Sequence, residues 1–405
     1  MKRIIIILSF LLACLSAQGQ SDTLRFSVRG IVRDAETGRP IPEVAVSIPG
    51  TLYTVVTNAD GIFSIKSPRP AEKLSFSLLG YVSKTEKVGE EPIMSVRLKR
   101  AAFTLDPASV MYGEPLSIMK MAIRRIEELT PDEPELQDCF YRETVRKRQR
   151  YIYVSEAVTK IYRAAGPNAS WKDKVAIVKS RLLTSPKSTD TLGVKIQGGP
   201  AIGVNLDLIR TRGIILTEQN LLDYSLTMLP QESIDGRMQF VIQLTPYTDP
   251  GYALHNGIVY IDRETLAFTR IELSLDTSNP GRATRVMLVK SPTGLRFRPK
   301  EMSLTLNYKT EGGKTRLSYI RTLFRFNCDW RKRLFATEFT AKAEMVITNR
   351  HTGDEVVKIN RKEAFGDYDV LADQARYFSD PEFWAAYNII EPEESLEHGV
   401  RKLLK

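Results

Sequence analysis

Between Val28 and Ile65 the apolar residues fall on alternate positions: Val28, Gly30 and Val32, then Val44, Val46 and Ile48, each flanked by more polar neighbours. A period of two marks a half-buried strand, because successive side chains point to opposite faces. Thr37-Gly38-Arg39-Pro40 and Asn58-Ala59-Asp60-Gly61 break the runs with turn chemistry. The pattern predicts a small β-sandwich of about seven strands over 24–99, closed by Lys73 to Leu79, the Gly80-Tyr81 turn, Lys84 to Lys87 and Met94 to Leu98.

Periodicity then lapses over 100–115, where Asp106-Pro107 and Gly113-Glu114-Pro115 read as a linker. Met119, Ala122, Ile123, Ile126 and Leu129 return at three- and four-residue spacing, which predicts an amphipathic helix stopped at Thr130-Pro131. From Phe140 the period is again two. Strands are expected over Phe140 to Val145, Tyr151 to Tyr162, Val175 to Leu183, Ser225 to Leu229, Met238 to Leu244, Gly257 to Ile261, Leu266 to Leu275 and Arg285 to Lys290. Leu295 to Lys309, Lys314 to Asn327 and Ala336 to Thr348 follow, joined by turns such as Glu311-Gly312-Gly313. Thr184 to Asn220 reads as a crossing segment or lid with a short helix near Asn205 to Arg210, and Asp380-Pro381-Glu382 and Glu393 to Leu404 as helical.

The fold class is therefore mainly β: a sandwich followed by a larger α+β domain over 116–405. Its core is a curved antiparallel sheet, a half-barrel with one face on a core or cavity and the other exposed.

Ahead of the first strand, Lys2-Arg3, the apolar run Ile4 to Leu15 and Ala17-Gln18-Gly19 lay out a secretory signal over 1–19. About 12 apolar residues fall short of the roughly 20 that span a bilayer. Leu11-Leu12-Ala13-Cys14 also resembles a lipobox, so two routes stay open: cleavage before Gln20, or acylation of Cys14. Both place the product in the periplasm or at the outer membrane. Loss of Lys2 and Arg3 lowers the net charge from +10 to +8. In that compartment a basic balance points to solubility or to anionic envelope surfaces and glycans, and not to nucleic acid. Cys139 and Cys328 can form one bridge or remain buried thiols.

Reactive constellations are wanting. His255, His351 and His398 stand apart in turn-rich or terminal sequence, read as surface histidines, and none has a ligand partner at zinc-site spacing. Gly-x-Ser-x-Gly is absent, Cys139 has no identifiable base, and Gly198-Gly199-Pro200 lacks the lysine of a phosphate loop. Glu127-Glu128 and Glu393-Glu394 read as solvated charges. No residue is nominated as catalytic, cofactor-binding or metal-binding. The densest positive run, Arg142, Arg146, Lys147, Arg148 and Arg150, spans a hairpin turn and reads as solvated or as an anionic-membrane docking patch. Arg331-Lys332-Arg333 is a smaller cluster. Arg142 and Glu143, two charges inside an aromatic strand, are expected to be paired or exposed, with a structural ion pair favoured.

Gly30-x-Val32-x-Asp34, Thr37-Gly38-x-Pro40-Ile41, Val44-x-Val46-x-Ile48, Gly50-Thr51, Thr57, Asp60-Gly61-x-Phe63-x-Ile65 and Gly80-Tyr81 resemble the carboxypeptidase-regulatory-like β-sandwich, a transthyretin-type module. That resemblance implies no peptidase activity. The remainder resembles the partner domain of envelope proteins that carry this module, through Phe140-Tyr141-Arg142-Glu143, Ser155-Glu156-Ala157-Val158, Gly257-x-Val259-Tyr260-Ile261-Asp262 and Tyr387-Asn388-Ile389-Ile390. Gly257 to Leu273 is similar to a hairpin of LolA-like lipoprotein carriers. The expectation is a non-catalytic exported envelope protein, docking through its sandwich and binding a protein partner or an apolar lipid or glycan ligand through its larger sheet. The alternatives are a periplasmic lipid or lipoprotein carrier and, third, a hydrolase with an unrecognised site.

Overall fold

The computed structural model describes residues 24, 26–91, 93–101, 113–187, 190, 199–288, 293–330, 336–366, 368–374, 376–377 and 383–403. The signal segment with Cys14, most of the linker, Gly198, Arg331-Lys332-Arg333 and Asp380-Pro381-Glu382 lie outside the described residues.

Seven strands build the N-terminal unit: β1 (Phe26–Asp34), β2 (Ala45–Ser47), β3 (Thr54–Val56), β4 (Ile62–Ser67), β5 (Lys73–Ser77), β6 (Lys84–Lys87) and β7 (Met94–Leu98). They form two sheets, β4-β1-β7 and β3-β2-β5-β6, around a core of Val32, Val44, Val46, Val55, Phe63, Ile65, Leu74, Phe76, Val96 and Leu98. Gly30 is demanded by contact: a Cβ there would lie 2.5 Å from the Met94 carbonyl oxygen and 2.6 Å from the Phe63 ring. Asp34 fastens the Thr37-Gly38 turn by accepting the Thr37 N–H at 2.8 Å, and takes Arg100 Nε at 3.2 Å and the Tyr81 hydroxyl at 3.1 Å. The turn N–H of Thr37 and the Arg100 guanidinium hold its carboxyl well below the usual range.

Helix α1 (Pro115–Leu129) opens on Pro115 and ends at Thr130, whose hydroxyl donates to the Ile126 carbonyl at 2.8 Å. The large sheet follows: β8 (Glu135–Lys147), β9 (Arg150–Arg163), β10 (Lys174–Thr184), β11 (Tyr224–Ile234), β12 (Arg237–Pro246), β13 (His255–Asp262), β14 (Phe268–Leu275), β15 (Leu295–Glu311), β16 (Lys314–Trp330), β17 (Glu338–His351) and β18 (Arg376–Tyr377). Their order, β11-β12-β13-β14-β15-β16-β17-β8-β9-β10-β18, is a meander whose first hairpin in sequence is added after its last strand. The sheet is curved and open. Of the strand its sequence suggests over Arg285 to Lys290, residues 285–288 do not form one, and 289–290 lie outside the described residues. Helix α2 (Pro280–Met287) occupies that place instead, because Asn279 caps the Arg282 N–H and Pro280 starts the first turn. The last long element is α3 (Glu394–Leu403).

One face of the sheet is filled by α1 and the crossing segment. Ile118, Met119, Ala122, Ile123 and Ile126 pack with Leu208, Ile209, Ile215 and Leu216 against Tyr141, Ile161, Ile242, Val259, Ile271, Leu306, Ile320 and Met345. The described part of the crossing segment over 199–220 therefore lies inside the core and not over it as a lid. The opposite face, expected to be exposed, is covered as well: Phe140, Val158, Tyr319 and Val346 bury against Val56 of the sandwich and against Trp384, Ile389 and Ile390. These last residues form a strap over 383–394 that crosses the sheet.

An ion cluster holds the strap. Arg142 Nε and Arg181 Nε each donate to Glu156 at 2.6 Å, and Trp384 Nε1 donates to it at 3.1 Å. Arg142 spends its remaining donors on the carbonyls of Ile390, at 2.8 Å, and Glu391, at 3.3 Å. Burial pushes the Glu156 carboxyl up, and Arg142 and Arg181 more than reverse it, so the group titrates below its ordinary value. A carboxylate with a depressed folded value contributes stability above its unfolded value and loses it as pH falls through the folded one. Glu156→Ala leaves two arginines facing one another in a buried site, and chemical denaturation at neutral pH should register a loss of about 3–5 kcal/mol. A variant as stable as the parent at neutral pH would show that the cluster holds nothing.

Candidate ligand-binding cleft

Strand alternation aims two sets of side chains from the sandwich. Val46, Val55, Leu74 and Phe76 enter its own core, whereas Ala45, Ser47, Thr54, Ser75 and Ser77 point at the larger sheet. Sheets packed face to face lie about 10 Å apart and fill the gap with interleaved side chains. Alanine and serine are too short to do so here, and a cleft of about 260 Å³ remains between the two units. Its other wall carries Arg270, Asn307, Arg316, Ser318, Tyr319 and Arg350, and its apolar surface comes from Leu52, Leu78, Leu79 and Ile234.

Every arginine of that wall holds a carboxylate. Arg316 meets Glu135 at 2.6 Å, Arg350 meets Glu311 at 3.4 Å, and Arg270 meets Glu272 at 2.6 Å and Glu43 of the sandwich at 3.6 Å. Glu43 also takes Arg321, a second contact between the units. Burial lowers Arg321, and Glu43 foremost, with Tyr319 and Glu344, restores it to above its ordinary value. Burial raises Glu311, and Lys309, Arg350 and Arg316 more than reverse that. The Tyr319 hydroxyl is pushed well above its ordinary range by burial and by Glu344. Glu311 and Tyr319 therefore present fixed polarity to a guest in the cleft.

The strap latches the sandwich to the larger sheet. Asn388 accepts the Lys66 N–H at 2.7 Å and donates to the Lys66 carbonyl at 3.0 Å, while Lys66 Nζ donates to the carbonyls of Trp384 and Tyr387 at 2.9 and 2.8 Å. Asn58 Nδ2 donates to the Pro392 carbonyl and Asp60 accepts the Glu394 N–H. At the other end the Gly80 N–H reaches the Ser233 carbonyl, and the Ser83 hydroxyl reaches Asp235.

Residues singled out in the sequence are dispersed. The five-residue basic run does span the β8–β9 turn, but it is no continuous patch. Arg142 is buried on Glu156, Lys147 and Arg150 share Asp190 at 3.3 and 2.6 Å, and Arg146 lies 5.5 Å from the centre of the Tyr151 ring. Arg142 and Glu143 do not pair with each other, since neighbours on a strand face opposite ways. Glu143 is instead buried on the helix-bearing side, takes the Tyr141 hydroxyl at 2.7 Å, and is raised by burial. Cys139 and Cys328 are buried free thiols in separate apolar clusters. Glu127 faces Arg212 and Glu128 faces Arg125, Glu393 accepts the Tyr151 hydroxyl, and Gly199 begins a buried turn against Phe365. A second buried charge cluster, Arg163 and Arg210 on Asp173 with Asp207, borders a cavity of only about 20 Å³, room for little beyond a water molecule. Among the described residues no three His, Cys, Asp or Glu side chains converge as metal ligands, and no helix is long and apolar enough to cross a membrane.

Only His398 of the three histidines is freely exposed. His255 is largely buried, and burial lowers it from 6.5 to about 4. His351 sits between Asp138, 2.7 Å from Nε2, and Glu355, 2.8 Å from Nδ1; Asp138 foremost raises it, against burial. The two act in opposite directions on stability. His255 contributes stability above about 6.5 that is lost as pH falls toward its folded value, and His351 contributes stability below 6.5 that is lost as pH rises through its folded value. Melting temperatures across pH should therefore flatten on the acid side in His255→Gln and on the neutral side in His351→Gln; profiles that both parallel the parent's would contradict this assignment.

The signal for the cleft was present in the sequence as serine and alanine at outward strand positions, but alternation alone does not tell solvent from a facing sheet. Residues 28–110 match the model of the CarboxypepD_reg-like domain. No curated protein matches the chain. Among solved structures, a DUF1329 family protein from Desulfovibrio piger aligns at 8% identity over 60% of this chain and 96% of its own, with a TM-score of 0.25. A LolA superfamily protein from Nitrosomonas europaea aligns at 14% identity over 62% and 98%, with a TM-score of 0.21. The first unit, with its Asp34-fastened turn and its obligatory Gly30, is a CarboxypepD_reg-like domain joined to a mainly β unit built on one curved, open sheet.

Proposed function

We propose that this chain is a non-catalytic binding protein of the cell envelope, and that its ligand occupies the cleft between the sandwich and the larger sheet. The observation that carries this reading is the cleft itself, which is walled by both units and lined by arginines already neutralised by fixed carboxylates. A guest there gains from shape, hydroxyl contacts and the apolar surface of Leu52, Leu78 and Leu79. The outer face of the sandwich docks within its own chain, so docking in this protein assembles the site. Export rests on the Lys2-Arg3 and Ile4 to Leu15 pattern.

An acyl-chain carrier is the second reading, supported by those same leucines. It places the chain in the cleft, since α1 already fills the opposite face of the sheet. Native mass spectrometry of protein isolated gently from the envelope tests both readings. The expected spectrum carries an adduct of a few hundred daltons, on the order of what a cleft this size admits, and Ser75→Trp should remove it while far-ultraviolet circular dichroism stays as in the parent. An adduct of acyl composition selects the carrier. An adduct that persists undiminished in Ser75→Trp, or no adduct together with no thermal stabilisation by envelope extract, overturns the assignment.

A further inference from the structure

The strand registers gather several connections along one rim of the larger sheet. Tyr224 lies opposite Pro246, His255 opposite Leu275, Phe339 opposite Lys147, and Lys147 opposite Arg150. The β12–β13 loop, α2 and the β8–β9 turn therefore emerge at the same end of their strands. Large apolar side chains are exposed there: Tyr247 at 67%, Tyr252 at 56%, Leu222 at 55% and Val286 at 39%. They are also held in place. The Tyr247 N–H donates to the Asp223 carbonyl at 3.1 Å, next to Leu222, and the Thr248 hydroxyl donates to the Asp223 carboxylate at 2.6 Å. Arg282, four residues before Val286 on α2, binds Asp249 at 3.1 Å, which ties the helix to the loop that carries both tyrosines.

The same rim carries unpaired positive charge. Arg285 beside Val286, and Arg148 at the β8–β9 turn, are exposed, and among the described residues neither enters an ion pair. The opposite rim carries both signs: Asp132, Glu133, Asp235 and Glu264 are exposed there, and so are Lys358, Arg361 and Lys362 after β17. The sandwich reaches Ser233 and Asp235 at that opposite end, while Leu222, Tyr247, Tyr252 and Val286 stay exposed at this one.

We infer that the basic rim docks on an anionic lipid bilayer, with Tyr247 and Tyr252 at the headgroup level, Leu222 and Val286 entering the acyl boundary, and Arg285 and Arg148 on lipid phosphates. Tyrosine at an interface keeps its ring in an apolar layer and its hydroxyl in water, which is why it concentrates at membrane surfaces. Arginine adds an attraction to anionic lipid that salt screens. This orientation leaves the cleft on the sheet's other flank open and is independent of what the cleft holds.

Co-sedimentation of the purified chain with vesicles of equal parts phosphatidylglycerol and phosphatidylethanolamine, against vesicles of phosphatidylcholine, tests the inference. The chain should sediment with the anionic vesicles at low ionic strength and lose most of that binding in molar salt. Arg148→Glu with Arg285→Glu should weaken it by about tenfold or more, and Tyr247→Ser with Tyr252→Ser by several-fold. Circular dichroism shows whether each variant is folded, and Asp132→Asn on the opposite rim should bind at least as well as the parent. Absence of binding to anionic vesicles, equal binding to phosphatidylcholine, or folded rim variants that bind like the parent would each overturn it. The last two results would point to a protein partner or to another face.

Discussion

Glu156 is a carboxylate withdrawn from water and held between two guanidinium groups, and the assembly of both units depends on it. Burying such a charge costs several kcal/mol unless it is matched in charge and in hydrogen bonds. Arg142, Arg181 and Trp384 match it. Because Arg142 is thereby fixed, its spare N–H groups stand in place to receive the carbonyls of Ile390 and Glu391. The strap that follows is held in turn and presents Asn388 to the backbone of Lys66. Ion cluster, strap, sandwich and cleft thus form one chain of dependence.

The two faces of the larger sheet use different physics. One is closed by apolar matching, as α1 and the crossing segment supply isoleucine, leucine and methionine to a surface of the same kind. The other is closed mainly by polar contacts, with a small apolar centre of Val56, Phe140, Trp384 and Ile389. Directional contacts fix register without needing a filled interface. A gap can therefore survive between Ser75 and Arg270 without the two units sliding together to close it.

Much of this fold is legible in the sequence, because period and turn chemistry are local. The sandwich strands, the amphipathic helix and the long hairpins all announce themselves at spacings of two or of three and four. Arg285 to Leu288 misleads, since a brief apolar alternation there is outweighed by the Asn279-Pro280 helix start two turns earlier. That Arg142 enters a structural ion pair is the favoured reading of its sequence, but the partners it finds are not legible. Its surroundings come from Ile390, 248 residues away, so a charge that looks available on a strand becomes an interior strut. The cleft is hidden for the same reason, as it arises only where outward residues of two separately patterned sheets come to face each other.

The strap has a consequence for how the molecule comes into being. A polypeptide emerges from its N-terminus, and domains tend to fold as they appear. The sandwich can complete its own core early, yet Lys66 and Asn58 wait for partners at Asn388 and Pro392 that are made more than three hundred residues later. Until then the serine-lined face is open to its surroundings. Closure of the strap on the sandwich is thus a contact that cannot form until the last part of the chain exists.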